Sequence, residues 1–270
     1  MKRIIGRSLW IISLALLLAA LAPAVHAKNT ITQPCSLSTV KGYYAMQGQG
    51  TVVQYPGMPT PFPLTEVARD FFDGAGNFRG RFVANGGGSI VEGWAPGTYT
   101  VNADCTGTLT LWGGGLDMSF VVLGNGSLRL IDISNWTVMR RTMEPMPKEK
   151  RGCSLSALKG TYSVQGEGTV VAQVPGWPSP PFTFAEVGRH VLDGVGNISG
   201  NYTWNVDGTV VTGTVTGTYQ KTGNCIGTMA LDQGGTAVNE FFAIFGNGNL
   251  RLVQTDSWIT IPRTMERMPD

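Results

Sequence analysis

Apolar and polar positions alternate along most of this chain, and no segment beyond its first few tens of residues sustains a 3.6-residue apolar period. Alternation is the mark of a strand with one buried face, because successive side chains point to opposite sides of a sheet. Phe182, Phe184, Glu186, Gly188, His190 and Leu192 fall on one face of such a strand, and Thr183, Ala185, Val187, Arg189, Val191 and Asp193 on the other. Tyr162, Val164 and Gly166 alternate with Ser163, Gln165 and Glu167 in the same way. Asp193-Gly194 with Gly196-Asn197, and Asp207-Gly208, place tight turns between strands, since Gly and Asn accept the positive φ that hairpins require. Further strands are predicted over Ser199 to Asn205, Thr209 to Tyr219, Met229 to Leu231, Glu240 to Phe245, Leu250 to Thr255 and a short last one over Trp258 to Ile261.

The pattern occurs twice. Cys35-Ser36-Leu37 and Lys41-Gly42 return as Cys153-Ser154-Leu155 and Lys159-Gly160, and the Asp73-Gly74 turn returns as Asp193-Gly194. Gly124-Asn125-Gly126 with Leu128-Arg129-Leu130 returns as Gly246-Asn247-Gly248 with Leu250-Arg251-Leu252, and Arg141-Thr142-Met143-Glu144 as Arg263-Thr264-Met265-Glu266. The offset between twins is 118 residues at Gly42 and Gly160, 120 at Glu66 and Glu186, and 122 at Gly124 and Gly246. The first slip falls in the Pro-rich stretches Pro56 to Pro63 and Pro175 to Pro181, and the second between Leu111 and Phe120, so both are expected in surface loops. Solenoid and propeller repeats are shorter and more numerous. Each copy instead suits one domain: residues 28–147 and 148–270, joined by a short Pro- and charge-rich stretch that keeps the two close. The fold expected is all-β, a tandem duplication of an antiparallel, roughly eight-stranded meander barrel; closure removes exposed strand edges. Two β-sandwiches are the alternative, because the pattern alone does not separate them.

Residues 1–27 stand outside this pattern. Lys2, Arg3 and Arg7 precede the apolar run Leu9 to Leu21 and the short residues of Val25-His26-Ala27, the form of a secretory signal peptide. No later run is long enough to span a membrane as a helix. A secreted or periplasmic location is expected, with no transmembrane anchor after cleavage. Without the three basic residues of the leader, 17 Lys and Arg face 18 Asp and Glu, and charged residues are only 14% of the chain. That balance gives no basic surface for nucleic acid. Gly, Thr, Ser and Asn take the place of charge, which makes self-association a natural expectation.

Four cysteines allow three pairings. The duplication selects Cys35 with Cys105 and Cys153 with Cys225, one bridge per copy, in keeping with an oxidising compartment. They lie too far apart for a CxxC-type metal site, so neither a metal nor a cofactor is expected.

Gly97-Thr98-Tyr99-Thr100-Val101-Asn102 with Asp104-Cys105-Thr106-Gly107-Thr108, and Lys159-Gly160-Thr161-Tyr162 with the later Leu192-Asp193-Gly194, resemble a signature of small secreted bacterial proteins of unknown function. Those proteins look like calycin or allene-oxide-cyclase-like barrels. The resemblance implies a barrel, and a group that includes carriers of small apolar ligands and cyclases that hold substrate inside. Copy two departs from the signature at Gln220-Lys221 and Ile226, which marks the motif as scaffold.

Candidate chemistry is sparse. Glu66 and Glu186 are twins, as are Arg69 and Arg189, and alternation puts each Glu on the face opposite its Arg. A charge inside an apolar lumen must be paired, so either residue, if inward, is a ligand anchor or an acid–base group. Arg129 and Arg251 recur in aliphatic strands and complete the ligand-binding candidates; the bland reading of all six is surface charge or ion pairs. Arg141 and Arg263 read as structural closure, each within reach of Glu144 or Glu266. His190 has no histidine twin, since Asp70 occupies the matched place, and no GxSxG, HExxH or P-loop is present. No catalytic residue emerges. The reading favoured is a protein that binds a small apolar ligand in a β-barrel. A structural or self-assembling protein, suggested by strands such as Phe241 to Phe245 that are apolar on both faces, is the alternative. A cyclase- or isomerase-like enzyme is the third, and requires Glu66 or Glu186 to face a cavity with a raised pKa.

Overall fold

The computed structural model describes residues 34–269, apart from 55, 56, 58, 59, 148–152 and 247. The expected signal segment 1–27 and the domain junction next to residue 148 lie outside the described residues.

Strands β1 (Gly42–Val52), β2 (Phe62–Phe72), β3 (Asn77–Gly86), β4 (Ser89–Val101), β5 (Thr106–Leu111), β6 (Leu116–Val122), β7 (Leu128–Asp132) and β8 (Thr137–Pro145) form an antiparallel meander. It closes where β8 pairs with β1. Strands β9 (Gly160–Val170), β10 (Phe182–Leu192), β11 (Asn197–Val206), β12 (Thr209–Gly223), β13 (Ile226–Gln233), β14 (Thr236–Phe245), β15 (Asn249–Gln254), β16 (Ile259–Thr260) and β17 (Pro262–Arg267) repeat it. The second barrel closes through β9, which pairs with β10 on one side and with β16 and β17 on the other. β16 and β17 are one strand position, the twin of β8, interrupted at Ile261. Pro262 has no amide hydrogen to give the ladder where Arg140 has one in the first barrel. The last strand therefore runs past Ile261 to Arg267, beyond the short strand that the pattern suggested.

Each barrel is filled by the inward half of its alternating residues. Leu109, Leu128, Leu130, Met118 and Met143 sit in one core, and Tyr162, Leu192, Phe242, Ile244 and Leu252 in the other. A disulfide links the chain before each barrel to the start of its fifth strand position: Cys35 to Cys105, with Cα atoms 5.0 Å apart, and Cys153 to Cys225, 4.9 Å apart. These bridges fit an oxidising compartment. Among the described residues no helix is long and apolar enough to cross a membrane.

A third apolar cluster holds the barrels together. Ala45, Val67 and Val83, on the outer faces of β1 to β3, pack against Phe241, Ala243, Phe245 and Val253, on the outer faces of β14 and β15. Polar side chains frame it. Gln47 Nε2 donates to the carbonyls of Leu252 and Arg263, and Asn85 Nδ2 to those of Gln254 and Ile259. Arg251 pairs with Glu144 at 3.0 Å. The doubly apolar strand Phe241–Phe245 is thus explained within one chain: Phe242 and Ile244 face the barrel interior, and Phe241, Ala243 and Phe245 face the other barrel.

Candidate functional site

The polar interest lies inside the barrels, and register explains how it gets there. Gly48 on β1 stands opposite Glu66 on β2 and opposite Arg141 on β8. Gly166 on β9 stands between Glu186 and Arg263 in the same way. Residues two strands apart are roughly 10 Å apart along the sheet. Their side chains meet only by reaching over the residue between them, and that residue is glycine. A Cβ at Gly48 would lie 2.7 Å from Glu66 Oε1, and one at Gly166 2.7 Å from Arg263 Cγ.

In the second barrel Arg263 is fully enclosed. Its Nε donates to Glu186 at 2.7 Å, and its Nη1 to Glu240 and Gln254 at 2.7 Å each. Gln233 donates to the other oxygen of Glu186 at 2.8 Å. Burial alone would raise the Glu186 pKa, but the charge and hydrogen bond of Arg263, with the Gln233 amide, hold it below the usual carboxylate value. Glu240 is raised, because burial and the nearby Glu186 charge outweigh the same arginine. His190, one turn of alternation beyond Gly188, is buried, and neither ring nitrogen has a hydrogen-bond partner among the described residues. Burial pushes its pKa down to about 4, against the pull of Glu186.

The first barrel carries a variant of this arrangement. Arg141 pairs with Glu66 and with Asp132, the twin of Gln254. Met118 replaces Glu240. Asp70 replaces His190; it is buried, and desolvation, reinforced by the charge of Glu66, drives its pKa well up despite Arg141.

The ends of the two barrels differ more than their charges. In the second, Trp204 fills the lumen beside Tyr202, with ring centroids 4.3 Å apart. Trp177, from the loop between β9 and β10, stacks on Phe184 and meets Trp204 and Trp258 edge-on at 5.6 Å. In the first barrel the twin of Trp204 is Ala84. The matching space is a cavity of about 220 Å³, lined by Phe62, Leu64, Phe82, Ala84, Trp112 and Trp136, with Glu66 and Arg141 at its base. Met58, the twin of Trp177, lies outside the described residues.

Of the six residues picked from sequence, Glu66 and Glu186 point into the lumens, and the four arginines do not. Arg69 sits on the outer face over the Tyr43 ring. Arg189 is exposed beside Thr161, and Arg129 is exposed on β7. Arg251 lies over Phe245 at the junction of the barrels. Arg141 and Arg263 are the lumen cations, and their partners are Glu66 and Glu186 rather than the Glu144 and Glu266 expected nearby. Alternation held the clue, since Arg141 shares a face with Met139 and Met143. Glu240 escaped notice because its twin is Met118. Gln233 has no counterpart, because the β13–β14 hairpin extends two pairs beyond Leu231 and Val238, the twins of Leu111 and Leu116. Among the described residues no group of three His, Cys, Asp or Glu is placed to hold a metal.

No protein-family model matches the chain, and no curated sequence matches it significantly. Two closed eight-stranded antiparallel barrels are consistent with a calycin-like fold.

Proposed function

We propose that the first barrel binds a small, largely apolar molecule at its open end, with one polar group of the ligand meeting the Glu66–Arg141 pair, in a secreted or periplasmic protein. The observation that carries this reading is the exchange of Trp204 for Ala84. Two copies of one barrel share a charged base, yet one lumen end is packed with aromatic rings and the other, among the described residues, is a cavity. Apolar walls around a few convergent polar groups are the usual make-up of a ligand site. A volume of about 220 Å³ lies below the roughly 300–1,000 Å³ of drug-sized sites, and above the ~150 Å³ that holds benzene in an engineered protein cavity. A bicyclic aromatic or short aliphatic ligand suits it. The second barrel, its lumen end filled by aromatic rings and Arg263 paired with two carboxylates, acts as a scaffold. An enzyme reading draws less support, because the pKa of Glu186 moves away from the range an acid–base group needs.

Titration with 1-naphthylamine, followed by its fluorescence, tests the proposal. Saturable binding is expected for the native chain, weakened at least about tenfold in Ala84→Trp and unchanged in Val195→Trp, which adds a ring at an exposed site. Equal binding by the native chain and a folded Ala84→Trp variant, or no binding by either, overturns it.

A further inference from the structure

The contact between the barrels joins two different faces. The second barrel offers the outer face of β14, β15 and β17, and the first offers that of β1, β2 and β3. Because the barrels are copies, each carries both kinds of face. One of each kind is left largely uncovered: β6 to β8 on the first barrel, apart from Glu144 at the end of β8, and β9 to β11 on the second, the two faces touching at the exposed pair Arg140–Glu167, 3.9 Å apart. A contact between unlike faces of a repeated unit leaves a free face at either end, and continues to add units unless it closes into a ring.

The groups that anchor the internal contact recur on the uncovered faces. Gln47 and Asn85 have twins in Gln165 and Asn205, both exposed. The carbonyls that Gln47 reaches belong to the cross-strand pair Leu252 and Arg263, and the first barrel has Leu130 paired with Arg141 in the same register. Those acceptors are backbone atoms, so substitutions on the face do not remove them. The ion pair Arg251–Glu144 is matched by Arg129 and Glu266, both exposed and of opposite charge. Buried Val67 and Val253 have twins in Val187 and Ile131, each 57% exposed. A groove of about 600 Å³ runs along the uncovered face of the first barrel past Ser119, Val121, Arg129 and Ile131.

We propose that a second copy of this chain docks its β6–β8 face onto β9–β11 of the first, repeating the internal barrel-to-barrel contact and building head-to-tail oligomers. The external contact is the weaker one. Phe241 and Phe245 are replaced by Ser119 and Leu123, Val83 by Thr203, and Val138 lacks the hydroxyl with which Thr260 donates to Asn85. It also lacks the covalent link that holds the internal pair together, so assembly rises with concentration.

Sedimentation velocity of the full disulfide-bonded chain over a hundredfold concentration range reads this directly. The native chain is expected to shift to larger species. Arg129→Glu and Glu266→Arg, each placing like charges across the contact, are expected to remain monomeric at the same concentrations. An equimolar mixture of the two, or the double variant, restores opposite charges and is expected to assemble again. Both side chains are exposed, so the variants should keep the native unfolding midpoint. A native chain that stays monomeric up to about 1 mM, or oligomers indifferent to these charge reversals, overturns the proposal.

Discussion

Arg263 lies among two carboxylates and a glutamine in a space closed to water, and its neighbour His190 is left neutral as a result of the same burial. An unfolded imidazole titrates near 6.5, whereas His190 in the barrel titrates at about 4. Between those values only the unfolded chain takes up the proton, so the residue costs stability as pH falls from 6.5 to 4, by roughly 3 kcal/mol over the whole interval. Glu186, with its lowered pKa, adds a loss only below its own unfolded range near 4.5, and Glu240, raised, works in the opposite sense. The comparison of native chain with His190→Phe isolates the histidine. Urea midpoints measured from pH 7 to pH 4 should fall less in the variant, and equal slopes would show that His190 titrates normally. Paired buried charges of this kind are weak evidence for stability in themselves, since their desolvation offsets most of the attraction. They join the second strand and the last strand of each barrel across the glycine of the first.

Glycine in the first strand of each barrel is what permits that approach. A Cβ at Gly168 would lie 2.3 Å from the carbonyl oxygen of Thr260, a backbone atom that has nowhere to go. Gly168→Ala should therefore destabilise the chain by about 1–3 kcal/mol, the range for forced overpacking, measured by equilibrium urea unfolding; a neutral result would mean that the closing strand lies farther away. The strands themselves were legible, because period-2 alternation survives in nearly all of them, and the turns were marked by Asp-Gly and Gly-Asn. Of the last strand only the first part, around Ile259 and Thr260, was legible. An arginine in the apolar slot between Met139 and Met143, and Pro262 in its twin, break the pattern where the barrel closes. The lumen charges were half legible for the same reason: Glu66 and Glu186 stood out as twins, while their partners came from distant strands, and sequence spacing carries no information about which strands meet across a closed sheet.

The two barrels share an apolar seam, so the chain should unfold as one unit. Calorimetry of Phe241→Asp, which sets a carboxylate into that seam, is expected to split a single transition into two; one unsplit transition at the native position would show that the seam contributes little. The loops closed by the disulfides, with separations of 70 and 72 residues, are worth roughly 4 kcal/mol each in the chain-entropy view, and each lies wholly within its own barrel. The arginine on the final strand has one further consequence, for the order in which the molecule is made. Synthesis delivers Glu66 early and Arg141 last, then Glu186 early and Arg263 last. A chain halted before its final strand lacks the guanidinium that offsets the burial of these carboxylates, so enclosing them would require their protonation. The strand that closes each barrel is thus also the one that neutralises its interior.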